Sequence, residues 1–143
     1  MKVEQISVFL ENKAGRLAEI TRTLSESHIN IKALSLADTS DFGILRLILS
    51  DCEKAYKVLR DKGFTVGRNA VVAVQMPDTP GGLDSILQIL REAGVNVEYM
   101  YAFAQRRKDS ATLVCRFGDT DKAIEALIAK NIPLISQEEL NKD

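Results

Sequence analysis

Asn12-Lys13-Ala14-Gly15-Arg16-Leu17 and Asp78-Thr79-Pro80-Gly81-Gly82-Leu83 read as one pattern written twice, and the rest of the chain falls into register around them. Gly15 and Gly81 stand 66 residues apart. At the same offset Ile20 falls on Ile86, Leu24 on Leu90, and Ile29-Asn30-Ile31 on Val95-Asn96-Val97. The offset then becomes 68, so that Asp51 meets Asp119, Lys54-Ala55 meets Lys122-Ala123, and Leu59 meets Leu127. A slip of two between the second and third strands suits a hairpin tip, which absorbs extra residues at little cost. A repeat at this spacing predicts two modules, residues 1–68 and 69–143.

Each copy carries the same run of signals. Val3 to Phe9 and Ala70 to Met76 read as first strands. A turn follows, then a helix with Leu17, Ile20, Leu24 and His28 on one stripe, or Leu83, Ile86, Leu87 and Leu90 in the second copy. Pro80 suits the first helical turn, with Asp78 or Thr79 as its cap. Ile29 to Ala37 and Val95 to Ala104 are predicted second strands, and Gly43 to Leu49 and Ala111 to Phe117 third strands. Asp38-Thr39-Ser40-Asp41 and Arg106-Arg107-Lys108-Asp109 read as the tips between them. Helices over Cys52–Lys62 and Thr120–Lys130 come next, and Phe64 to Val66 and Ile132 to Ser136 close the copies. The order is βαββαβ twice, and the expected class is α+β, with antiparallel sheets carrying helices on one face. Gly67-Arg68-Asn69 lead almost directly from one copy into the next, and the polar end after Leu140 is expected to fray.

Bulk properties narrow the function. Of 143 residues, 45% are hydrophobic and 27% charged, as in ordinary globular proteins. The net charge of −1 supplies no general attraction to nucleic acid or anionic lipid. The opening Met1-Lys2-Val3-Glu4-Gln5 has no apolar stretch, so no signal peptide is expected, and no apolar run reaches the length of a membrane span. Cys52 and Cys115 stand far apart, which predicts reduced thiols and a cytoplasmic protein. One histidine and two separated cysteines make a poor metal inventory, and no phosphate-loop or nucleophile-elbow motif is present. No metal, cofactor or enzymatic activity is expected.

The turns before the first helix of each copy are the candidate site. Gly15 and Gly81 leave the backbone open to close approach. The first N–H groups of a helix lack intrahelical partners and lie at its positive end, which favours a carboxylate. Asn12 and Asp78 offer side-chain oxygens, and Asp78 could attract an ammonium. Asn30 and Asn96, fifteen residues after each glycine, can both donate and accept. If they face the same neighbourhood, they would suit a zwitterion. A plainer use fits the same residues: Asn12 and Asp78 capping helices, Asn30 and Asn96 closing turns.

The pattern Asn/Asp-x-(Ala/Pro)-Gly-x-Leu, an amphipathic helix and then (Ile/Val)-Asn-(Ile/Val) resembles the ACT domain, in both halves and over nearly the whole chain. The second copy is the closer match because it keeps Pro80. The resemblance implies a ferredoxin-like βαββαβ fold that binds a free amino acid and regulates amino-acid metabolism. It implies ligand contacts at Asn12, Lys13, Ala14, Gly15, Arg16 and Leu17 with Asn30, and at Asp78, Thr79, Pro80, Gly81, Gly82 and Leu83 with Asn96. Ligands in this family often sit between two modules, touching the glycine turn of one and polar groups on a facing strand or helix. Serine-sensing relatives carry a histidine where this chain has Leu10 or Met76, which implies a less polar pocket. No enzyme or DNA-binding domain is expected beside the two modules, so the output would pass through a partner, such as a regulated enzyme or transcription factor, or through buffering, and a homodimer is expected. Gly81→Val is expected to block binding and leave the fold largely intact.

Other readings are open to test. RNA-binding modules share the βαββαβ order, but Ala111 to Phe117 lacks their aromatic signature. A small enzyme would need a nucleophile beside a base, and His28 neighbours neither cysteine in sequence. A dimerisation module that binds no ligand is the main alternative. His28 reads as a helix-end charge or a packed residue, and Arg106-Arg107-Lys108 as a solvated tip. Tyr99, Tyr101 and Phe103 share one strand face opposite Met100, for packing or for stacking.

Overall fold

The computed structural model describes residues 1–38, 41–105 and 109–142. Thr39, Ser40, Arg106, Arg107 and Lys108, which belong to the two expected tips, lie outside the described residues. The elements in chain order are β1 (Val3–Glu11), α1 (Arg16–Glu26), β2 (Ile31–Asp38), β3 (Phe42–Leu49), α2 (Cys52–Asp61), β4 (Thr65–Pro77), α3 (Gly82–Glu92), β5 (Val97–Ala102), β6 (Ser110–Phe117), α4 (Thr120–Ala129), β7 (Leu134–Ile135) and α5 (Gln137–Asn141). They form two compact units, one of Glu4–Asn69 with Leu140–Asp143 and one of Ala70–Glu139 with Met1–Val3. No helix among the described residues is long and apolar enough to cross a membrane.

In the first unit β3 lies between β2 and β1, antiparallel to both. Ile6, Val8 and Leu10 of β1 share a face with Leu45, Leu47 and Leu49 of β3. Ile20 and Leu24 of α1 and Ala55 and Leu59 of α2 close over that face as one buried cluster. At about 25 cal/mol per Å² of apolar area, such burial is the main stabilising term. In the second unit β6 lies between β5 and β4, again antiparallel, and β7 adds to β4. Val72, Val74, Leu113, Cys115 and Phe117 meet Ile86, Leu90, Ala123 and Leu127 from α3 and α4. This is the expected α+β arrangement, with both helices of each unit on one sheet face.

The ends of the helices repeat as closely as their apolar stripes. Asp51 and Asp119 cap α2 and α4, their side chains accepting from the N–H groups of Lys54 at 3.0 Å and Lys122 at 3.1 Å. Each of the four long helices stops at a left-handed residue, in turn His28, Gly63, Gly94 and Asn131. After each, an apolar residue donates its N–H back into the helix: Ile29 to Leu24, Phe64 to Leu59, Val95 to Leu90 and Ile132 to Leu127. This closure satisfies carbonyls that a helix end would otherwise orphan.

Several expectations need correction. The strands expected over Phe64–Val66 and Ala70–Met76 are parts of one 13-residue strand, β4. Gly67-Arg68-Asn69 contains no proline, so nothing removes a ladder donor and the extension continues. The last strand shrinks to Leu134–Ile135, after Pro133. His28 is neither packed nor on the helical stripe: it is exposed, beyond the end of α1. A short helix that the sequence did not lead us to expect, α5, follows β7 and buries Leu140, with Ser136 Oγ accepting from the Glu139 N–H at 3.2 Å. Pro80 precedes the start of α3, whose cap position is Gly81 rather than Asp78 or Thr79.

Candidate functional site

The turn after β1 is built by its glycine. Gly15 occupies the cap position of α1 at φ 87°, and Gly81 occupies that of α3 at φ 88°. An L-residue there would pay the left-handed penalty, about 1–2 kcal/mol, so glycine is needed for backbone geometry. No side chain caps either helix. A Cβ added at either glycine would meet nothing within 4 Å, so both turns are open on that side. Gly81→Val would therefore strain the start of α3, and it does not separate binding from folding as the sequence reading expects.

Equivalent backbone bonds tie both turns to the following hairpin. The Asn12 N–H donates to the Asp41 carbonyl at 2.9 Å, and the Asp78 N–H donates to the Asp109 carbonyl at 3.1 Å. The turns differ one residue further on. Arg16 has a side chain, whereas a Cβ at Gly82 would collide with the Pro77 carbonyl oxygen. Gly82 is accordingly buried against the end of β4.

At the first turn the structure forms a cavity of about 580 Å³. Its walls are Leu10 and Glu11 from β1, Asn12, Lys13, Ala14 and Gly15 from the turn, Leu17 from α1, Leu36 and Asp38 from β2, and Gly43 from β3. Five candidates drawn from the sequence, Asn12, Lys13, Ala14, Gly15 and Leu17, are thus brought together. Arg16 turns aside. Its guanidinium lies 3.3 Å from Glu11 and 3.2 Å from Glu19, over the Phe64 ring, and lines a neighbouring cavity of about 280 Å³.

Asn30 is not brought to this turn. It follows α1, at the far end of a helix whose 11 residues span about 16 Å. There its N–H donates to Ser50 Oγ at 2.9 Å, and its carbonyl accepts from the Ser50 N–H at 3.0 Å. Asn96 sits likewise after α3, its carbonyl accepting from the Gly118 N–H at 3.0 Å. Within one unit, then, neither asparagine shares a neighbourhood with its glycine turn. Around the second turn, Leu83 packs against the core and Ser85 Oγ donates to the Gly81 carbonyl at 3.0 Å. The Thr79 carbonyl accepts from the Gly82 N–H, also at 3.0 Å.

Leu36, Asp38 and Gly43 escape a sequence reading centred on the turn. Their signal lies in strand parity. Leu36 pairs with Leu45, Asp38 pairs with Gly43, and Gly43 also pairs with Leu10. All of these therefore point to the face that α1 covers.

The cysteines have a different character. Burial, and then a hydrogen bond to Glu4, push the Cys52 thiol up to about 12. Burial alone takes Cys115 to about 12. Glu4 is held below the ordinary carboxylate range by the hydrogen bond from Cys52 and then by Arg68, whose Nη2 lies 2.7 and 2.9 Å from its two oxygens. Both thiols are protonated at neutral pH, the opposite of an activated nucleophile.

A family model described as the ACT domain pair matches residues 1–143. The chain belongs to this family. The crystal structure of protein BT0572 from Bacteroides thetaiotaomicron is similar at 45% identity and a TM-score of 0.94, covering all of this chain and 98% of that one. The ligand-free regulatory subunit of aspartate kinase from Thermus thermophilus shares the fold at 13% identity and a TM-score of 0.64, covering 88% of this chain and 91% of its own. The corresponding subunit from Thermus flavus does so at 15% and 0.61, covering 88% of this chain and 90% of its own. No curated protein matches the chain.

Proposed function

We propose that this ACT domain pair is a non-catalytic cytoplasmic sensor, which binds a free amino acid in the Gly15 cavity and regulates amino-acid metabolism through a partner enzyme or transcription factor. The observation that carries this reading is the cavity itself, placed where the uncapped start of α1 meets the ends of β1 and β2. The helix N–H groups there favour a carboxylate, and the adjoining acidic and amide side chains suit an ammonium. Asn12, Lys13, Ala14, Gly15 and Leu17 are the contacts proposed at this turn. Asp78, Thr79, Pro80, Gly81, Gly82 and Leu83 form the matching turn, with its own left-handed glycine. Arg16 is proposed to position Glu11 rather than touch the ligand.

Asn30 and Asn96, which lie away from their own turns, are proposed to contact ligand held by a second copy of the chain, which is why a homodimer belongs to this reading. Occupancy that changes how modules pair is the two-state element such regulation requires. The fold shared with aspartate kinase regulatory subunits is compatible with this role. A thermal-shift screen of the full chain against the standard amino acids tests it. A ligand at 100 times its dissociation constant should add about 2.7 kcal/mol of stability. A selective shift is expected. No shift with any amino acid at millimolar concentration would defeat the sensor reading in favour of a ligand-free dimerisation module.

A further inference from the structure

We infer that the Gly15 cavity selects an α-amino acid with an apolar side chain, and that Gly43, Leu36 and Asp38 make the selection. This deepens the amino-acid-binding reading above and rests on it. Gly43 lies inside β3, where glycine weakens a strand. Its backbone is not left-handed, so no turn geometry demands it. A Cβ at this position would make only ordinary contacts, at 3.5 Å with Leu36 and 3.6 Å with Leu10. Neither backbone strain nor a clash explains the glycine. What it does is leave empty the floor of the cavity, at the register position between Leu10 and Asp38. The equivalent position of the second unit carries Ala111, paired with Met76.

The walls around that floor are apolar. Leu10 and Leu36 rise from the sheet and Leu17 from α1. Leu36 keeps 52% of its surface exposed and Leu17 37%, although Leu36 lies on the sheet face that bears the helices and Leu17 on the helix above it. A ligand side chain in the cavity would cover this surface, and each methylene it buries is worth about fourfold in affinity. The polar groups are arranged for a backbone zwitterion rather than a polar side chain. Glu11 is engaged by Lys13 at 3.5 Å and by Arg16 at 3.3 Å. Asp38, two residues from Leu36 on the same strand face, has no ion pair among the described residues. It can receive an ammonium, and it repels a side-chain carboxylate.

The test is calorimetric titration of the full chain with leucine, methionine, phenylalanine, alanine, serine, aspartate and lysine, and with the 2-oxo acid of leucine. The apolar amino acids should bind at least about tenfold more tightly than alanine, serine, aspartate or lysine. Gly43→Val should weaken leucine binding at least tenfold without lowering the thermal midpoint of the unliganded chain, because valine suits a strand. Gly43→Ala, which adds one methyl, should show a smaller loss in the same direction. Asp38→Asn should weaken leucine binding and narrow its advantage over the 2-oxo acid. A preference for serine, aspartate or lysine, or leucine affinity unchanged in Gly43→Val, would overturn the assignment while leaving amino-acid sensing intact. Binding of none of the amino acids would remove both.

Discussion

Gly15 and His28 stand at the two ends of α1, both with positive φ, and only one of them suits its place. Gly15 has φ 87° and needs no Cβ, whereas His28 holds φ 58° with a β-carbon. His28 aligns with Gly94 in the repeat, and Gly94 does the same job without strain. His28→Gly should therefore raise stability by up to about 1 kcal/mol, and Gly15→Ala should lower it by about 1–2 kcal/mol. Chemical denaturation of the two variants reads both signs. Equal effects would mean that the left-handed conformation is not what these residues are chosen for. The sequence shows a glycine at each turn but not its φ. That is why His28, which falls four residues after Leu24, reads as part of an apolar stripe that in fact stops at Leu24.

At the scale of elements, prediction from sequence succeeds where the cause is local. The stripe of Leu83, Ile86, Leu87 and Leu90 builds α3 as expected, because four residues of similar character at helical spacing can only face one way. The starts of α2 and α4 have an equally local cause that the sequence reading passed over: the carboxylates of Asp51 and Asp119 satisfy the N–H groups three residues on. Asp51→Ala is expected to cost about 1 kcal/mol, and Asp51→Asn much less, since the amide oxygen still accepts. Thermal melts of the pair check this, and an equal loss in both would point to charge rather than capping. Local signals are silent on whether two strands fuse. Thr65 to Pro77 offers a weak pattern in its middle, and only the surrounding ladder makes it one strand.

For the molecule as a whole, the titrating groups bound the pH range of stability. Glu4 has a lowered pKa, so its contribution is present above the unfolded value near 4.5 and is lost as pH falls through the lower folded value. The thiols of Cys52 and Cys115 are raised to about 12, so their contribution is complete below the unfolded value of 9.0 and is lost as pH rises from there towards 12. Melting temperature should therefore hold on a plateau between about 5 and 9 and fall on both sides. The gap between wild type and Glu4→Gln should close in acid. A gap that stayed constant from pH 7 to pH 3 would mean that the Cys52–Glu4–Arg68 contacts do not set the acid limb.

Sequence alone was enough for the repeat, for the four long helices with the apolar stripe of α3, and for the glycines of the two turns, because each depends on residues a few positions apart. Tertiary structure decided the rest. It placed Asn30 and Asn96 at the far ends of α1 and α3 from their glycines, because a helix of 11 residues carries the chain away from the turn. It also brought Leu36, Asp38 and Gly43 to the Gly15 turn, because antiparallel register sets strands side by side whatever their separation in the chain.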